Sequence, residues 1–231
     1  MIMLKNLIYG YLVALLLVSF NANAMLKHEI NDEKKSWYFE AYLDESKIGH
    51  HTFEVNINDT QTTVLSQAEF DVSILFIPVF KYEHTNNEVW NNGCLVKLNS
   101  TTFNDGEDLF VNLSNDNGIT HIETAKNKLT KSECVRSFAY WDAELIKSNA
   151  LLNTQTGEVV DITYKVVGSE KIMINDVSVD TQRYQLLGKD ESGNDIDINL
   201  WYNNDKQWVA LESKLENGRY LRYQLKQDIS Q

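Results

Sequence analysis

The sequence predicts a mainly β protein. It reads as a single strongly curved antiparallel sheet or half-barrel of ten or more strands, with one short helix. Three observations predict this. Apolar and polar residues alternate with period 2 through most of the chain beyond residue 36. Clusters of Asn, Asp and Gly interrupt the alternation at short intervals, as hairpin turns do. Helical spacing appears once, and a sheet of so many strands must curve or close to protect its edges.

The elements follow in order. Residues 1–24, "MIMLKNLIYGYLVALLLVSFNANA", carry one basic residue, Lys5, then an apolar run from Leu7 to Phe20 and a small-x-small exit at Ala22–Ala24. This layout predicts a secretory signal peptide cut after Ala24, because a spanning helix needs about 20 apolar residues. No later run approaches that length, so no transmembrane segment is expected after cleavage. Residues 25–35 form a polar lead-in, and residues 36–231 a single β-rich domain.

In the first strand, Trp37, Phe39, Ala41 and Leu43 share a face. In the second it is His51, Phe53, Val55 and Ile57, and in the third Ala68, Phe70 and Val72. "SILFIPVF", residues 73–80, is apolar and holds Pro78, the only proline. It reads either as an apolar loop over a cavity mouth or as a buried strand kinked at Pro78. "NDGED" and "SNDNG" mark hairpins, and Asp142 caps a helix predicted at 142–149, with Phe138, Trp141, Leu145 and Ile146 on its apolar side. Strands resume after Gly157. Ile196, Ile198, Leu200 and Tyr202 share a face in one of them, and Asn217-Gly218 signals a two-residue hairpin near the end.

Charge and cysteine count narrow the function classes. The net charge is −12, and −13 once Lys5 leaves with the first 24 residues. Such acidity opposes binding to nucleic acid or to anionic headgroups, which need clustered Lys and Arg. Cys94 and Cys134 are the only cysteines. In an exported chain they predict one disulfide, and the absence of a C-x-x-C pattern opposes a redox role. Three N-x-S/T triplets, at Asn58, Asn99 and Asn112, carry no weight in so Asn-rich a chain.

The stretch from Phe80 to Trp90 is the main candidate for a site. As one strand it puts Phe80, Tyr82, His84, Asn86, Glu88 and Trp90 on a single face, mixing aromatics with His and Glu as a partly polar cavity wall would. The expected ligand-binding residues are His51, Phe53, Tyr82, His84, Glu88, Trp90 and Trp141. A bland reading competes, in which the two histidines are buried and hydrogen-bonded and the tryptophans are plain core. No G-x-S-x-G elbow, phosphate-binding glycine loop or H-E-x-x-H pair is present. No catalytic residue, metal or cofactor is expected.

"IGHHTF", "YEHTNNEVWNNGCL", "SFAYWDAELI", "LLNTQTGE" and "LWYNNDKQWVALES" resemble the signature segments of a family of uncharacterised bacterial secreted proteins, across residues 36–227. More distantly, the layout is similar to the lipoprotein-carrier superfamily. Those are periplasmic half-barrels whose curved sheet wraps an apolar cavity closed by helices, although this chain has fewer helices. The resemblance implies an exported, non-enzymatic periplasmic or secreted protein. Its partner would be an apolar or amphipathic small molecule or lipid in the concave face of the sheet. Two alternatives stand behind it: a non-catalytic envelope protein with a protein partner, and a metal hydrolase built from His51, His84 and Glu88.

Overall fold

The computed structural model describes residues 32–74 and 77–228. Eight strands run first: β1 (Glu33–Leu43), β2 (Ser46–Ile57), β3 (Thr62–Ile74), β4 (Ile77–Asn91), β5 (Cys94–Asn104), β6 (Glu107–Asp116), β7 (Ile119–Thr124) and β8 (Lys128–Lys131). A crossover of residues 132–149 leads to β9 (Ala150–Leu152), β10 (Val159–Ile174), β11 (Val177–Lys189), β12 (Asp195–Asn203), β13 (Trp208–Lys214) and β14 (Tyr220–Asp228). All fourteen strands join one antiparallel sheet in the order β8-β7-β6-β5-β4-β3-β2-β1-β14-β13-β12-β11-β10-β9. The last strand therefore pairs with the first, Leu43 opposite Leu221, and joins two meanders into a half-barrel-like sheet. Strand pairing leaves its two edges, β8 and β9, unjoined.

The alternation dictates which side is inside. Trp37, Phe39 and Ala41 of β1, His51, Phe53 and Val55 of β2, and Ile198, Leu200 and Tyr202 of β12 are all buried. Their outward neighbours are half-buried or exposed, apart from Asn199. Curvature comes from shifts of register, at Ala41/Tyr42, Val72/Ser73, Val89/Trp90 and Val166/Gly168, each of which bends a strand. The bend at β2 brings the chain so close to β3 that a Cβ on Gly49 would lie 1.9 Å from the Glu69 carbonyl oxygen. Two-residue turns at Asn92-Gly93 and Asp105-Gly106 hold both residues at positive φ, as type I′ hairpins require.

The crossover lies across the concave side and ties the middle of the sheet to its far edge. Cys134 is bonded to Cys94 at the start of β5, with the Cα atoms 5.2 Å apart. The Leu95 N–H donates to the Val135 carbonyl, and the Leu152 N–H of β9 donates to the Arg136 carbonyl. Val135, Ser137, Ala139 and Leu145 are buried there. The crossover thus fills the end of the sheet that carries the β4–β5 turn. At the opposite end the turns after β9, β11 and β13 stand around an opening.

Three details differ from the sequence expectations. The helix predicted at 142–149 is a 3-10 segment, Ala143–Lys147. Ser148 is already extended, and residues 148 and 149 form a short link to β9, which starts at Ala150. β1 starts at Glu33, so residues 33–35 of the expected lead-in are strand, paired with Ile57, Asn56 and Val55. The Asn217-Gly218 hairpin has a three-residue loop, because Leu215 and Arg219 are the bonded pair and only Gly218 has positive φ. The "SILFIPVF" stretch is a hairpin tip, with Pro78 opposite Ser73 beside a register shift; Leu75 and Phe76 lie outside the described residues. The proposed leader, residues 1–24, also lies outside them.

Candidate functional site

A cavity of about 480 Å³ lies between the concave sheet and the crossover. Its floor comes from β2, β3 and β4, through His51, Phe53, Ser66, His84, Asn86 and Glu88. One wall is the crossover, from Ser137 to Trp141, and the other is β12–β14. The rim is made by Asp190, Asn194, Asp195, Lys214 and Glu216, with Asn153 to Gln155.

Each polar side chain on the floor already holds protein partners. Glu88 is the most committed. Its carboxyl accepts from Asn86 Nδ2 at 2.9 Å, Trp90 Nε1 at 2.7 Å and Ser137 Oγ at 2.8 Å. Burial nonetheless raises its pKa above the ordinary value, against the lowering effect of those three donors. His51 Nε2 lies 2.7 Å from Ser66 Oγ, and Nδ1 lies 3.1 Å from the Tyr223 hydroxyl. His84 Nδ1 lies 2.8 Å from Thr102 Oγ1, and Nε2 faces Thr154 Oγ1 at 3.5 Å. Burial lowers the His84 pKa to about 4 and holds His51 well below its usual value, so both are neutral at pH 7.

This geometry tests the catalytic alternatives. His51, His84 and Glu88 each bond a separate set of neighbours, and among the described residues no group of three His, Cys, Asp or Glu side chains could hold a metal. The Ser66–His51 contact has the spacing of a nucleophile and its base. A useful base, however, needs a pKa near the working pH and a partner that stabilises its cation. Here burial lowers the basicity of His51, and the third member is a tyrosine whose own pKa burial drives upward. The chain of hydrogen bonds satisfies buried groups and offers little driving force for proton abstraction.

Of the seven residues expected to bind a ligand, His51, Phe53, His84, Glu88 and Trp141 line the cavity. Tyr82 and Trp90 are buried behind it. Tyr82 stacks on Phe70 at 5.2 Å, and Trp90 meets Trp141 edge-on at 5.6 Å while its N–H serves Glu88. Sequence reasoning missed Ser66, Ser137, Tyr140 and Tyr223. Ser66 was within reach, since it shares the face of Ala68 and Phe70, but nothing local marks the register of the crossover that delivers Ser137 and Tyr140.

A second cleft, of about 380 Å³, lies where the tip of the β10–β11 hairpin folds over β12–β14, lined in part by Ile172, Ile174, Trp201 and Arg222. Asn175 fastens that tip by donating to the Lys226 carbonyl at 2.8 Å. No helix among the described residues is long and apolar enough to cross a membrane.

Comparison with solved structures gives the fold independent support. The chain is similar to a β-barrel-like protein of the domain of unknown function DUF1849 from Brucella abortus, with a TM-score of 0.64 and 14% identity over 84% of this chain and 95% of that one. It also aligns with a "putative lipoprotein" from Parabacteroides distasonis at 13% identity over 85% and 95% of the two chains, but the TM-score of 0.33 carries no weight. No curated protein matches the sequence. Residues 39–226 match the model described as Domain of unknown function (DUF6134), and the chain belongs to that family.

Proposed function

We propose that the protein is an exported carrier that holds an amphipathic small molecule or lipid inside its curved sheet. The observation that carries this reading is the cavity itself. At about 480 Å³ it falls in the size range of ligand pockets, roughly 300–1,000 Å³, and it joins aromatic walls to a few fixed polar groups. The leader-like first 24 residues and the Cys94–Cys134 bridge fit an oxidising, extracytoplasmic location. The test is native mass spectrometry of protein purified from its own cell envelope, with solvent extraction of the same sample. A carrier arrives with a bound mass that extraction removes and identifies. Protein that stays empty, and binds no amphiphile when titrated, would sink the reading.

A second reading has its own observation. Val166, Val167, Met173 and Val177, on the β10–β11 hairpin, are all exposed, Met173 at 67%. An envelope protein that docks through this arm would lose a specific captured partner on Met173→Lys while keeping any cavity ligand.

A further inference from the structure

From the polar groups around the cavity we infer the class of headgroup it takes: one that donates hydrogen bonds and carries no negative charge, as in a monoacylglycerol or an alkylamine. This rests on the carrier reading and deepens it.

Three features of the site support this inference. The first is an orphaned acceptor. Asn86 lines the cavity and is 6% exposed. Its Nδ2 is committed to Glu88, which fixes the amide orientation, and its Oδ1 is buried without a hydrogen-bond partner in the protein. Across the ladder, Ser100 of β5 pairs with Asn86, and its hydroxyl is likewise buried without a partner. An unmatched buried acceptor is costly; Oδ1 is closed off in this conformation, so a ligand donor gains a bond to it once the side chains that cover it shift aside.

The second feature is the absence of a countercharge for an anion. Lys214, on the rim, is the only Lys or Arg among the described lining residues, which also include Glu88, Asp190, Asp195 and Glu216. No Lys or Arg lines the floor, and burial disfavours the charged form of its two histidines. Three neutral donors at the floor, on Asn86, Trp90 and Ser137, are already spent on Glu88. A carboxylate or phosphate headgroup on the floor would have no Lys or Arg to pair with and a buried carboxyl beside it.

The third is the field at the mouth. Asp195 is paired with Lys189, but Asp190 and Glu191 stand close enough to Glu158 to help burial raise its pKa. The opening therefore repels anions before they reach the floor and attracts cations.

The experiment is a titration of the purified protein with three amphiphiles of one chain length, 1-monolauroylglycerol, dodecylamine and laurate, at pH 7.5 and low salt. Native mass spectrometry counts the bound molecules, and the intrinsic tryptophan fluorescence, to which Trp141 at the cavity wall contributes, follows occupancy. The glycerol ester and the amine should each bind once, about tenfold or more tighter than laurate. Asn86→Ala, checked by its melting profile, should weaken the glycerol ester about fivefold. Glu216→Lys, at the exposed rim, should weaken the amine about fivefold while leaving the neutral ester unchanged, a salt-sensitive effect. Laurate binding as tightly as the other two would overturn the headgroup assignment and leave the carrier reading standing. An amine affinity untouched by Glu216→Lys would overturn the part played by the mouth. Failure of all three amphiphiles to bind would overturn both readings together.

Discussion

Glu88 shows how a single buried residue can organise a site. Its carboxyl gathers two neighbours of its own strand, Asn86 and Trp90, and one residue of the crossover, Ser137. Ser137→Ala removes the one donor that comes from outside β4, leaving the carboxyl under-satisfied; chemical denaturation should report a loss of about 1–2 kcal/mol. The histidines act in the opposite direction with pH. The folded His84 pKa is about 4, below its unfolded value near 6.5, so the unfolded chain binds the proton first. Stability from this group is complete above pH 6.5 and is lost as pH falls from there toward 4, by roughly 3 kcal/mol at most. His51, shifted the same way, adds to the loss. Glu88, raised above its ordinary value, works against it: the contribution of its neutral form is present below about pH 4.5 and is lost as pH rises through the folded value. Urea midpoints at pH 7.5 and pH 5.0 should therefore differ, and His84→Gln should narrow the gap. At this scale the sequence was informative about faces. Period-2 alternation correctly grouped Tyr82, His84, Asn86, Glu88 and Trp90 on one side, and all five are buried. It could not show which of them border empty space, because that depends on how far the crossover reaches.

The crossover is the element that turns an open sheet into a container. It has almost no regular structure of its own, one short 3-10 segment among extended residues, so its position rests on anchors. The disulfide holds one end at β5, two backbone bonds join its middle to β9, and Tyr202 and Tyr164 donate to its carbonyls at Tyr140 and Leu145. Opening the bridge with Cys94→Ser and Cys134→Ser frees a loop 40 residues apart in sequence, worth about 4 kcal/mol by loop entropy. Thermal melts of the double variant should show that loss. A second element test lies at β2: Gly49→Ala forces a methyl group into the Glu69 carbonyl, which the backbone can relieve only by unbending the strand, at about 3 kcal/mol. Strands were easy to read because each repeats a simple pattern many times. The helix is shorter than its pattern predicts, because 3-10 and α spacing are indistinguishable over five residues and the backbone is already extended at Ser148.

For the whole molecule, the pairing of β14 with β1 is the decisive step, since it joins two meanders and sets the curvature that leaves a hollow. No local signal announces that pairing; it follows from the edges that remain once every hairpin has formed. The same geometry explains why an acidic protein without a metal cluster among its described residues can still have a defined interior, with aromatic walls, a polar floor and a negatively charged mouth. The central claim is that this interior is the place where a ligand sits. The most direct test is a crystal structure of the protein soaked with an amphiphile carrying a terminal bromine and an uncharged glycerol head, located by anomalous scattering. A bromine peak is expected inside the cavity, beside Phe53, Tyr140 or Trp141, with the head near Asn86. A peak only in the outer cleft by Trp201 and Ile172, or no peak at saturating ligand, would contradict it.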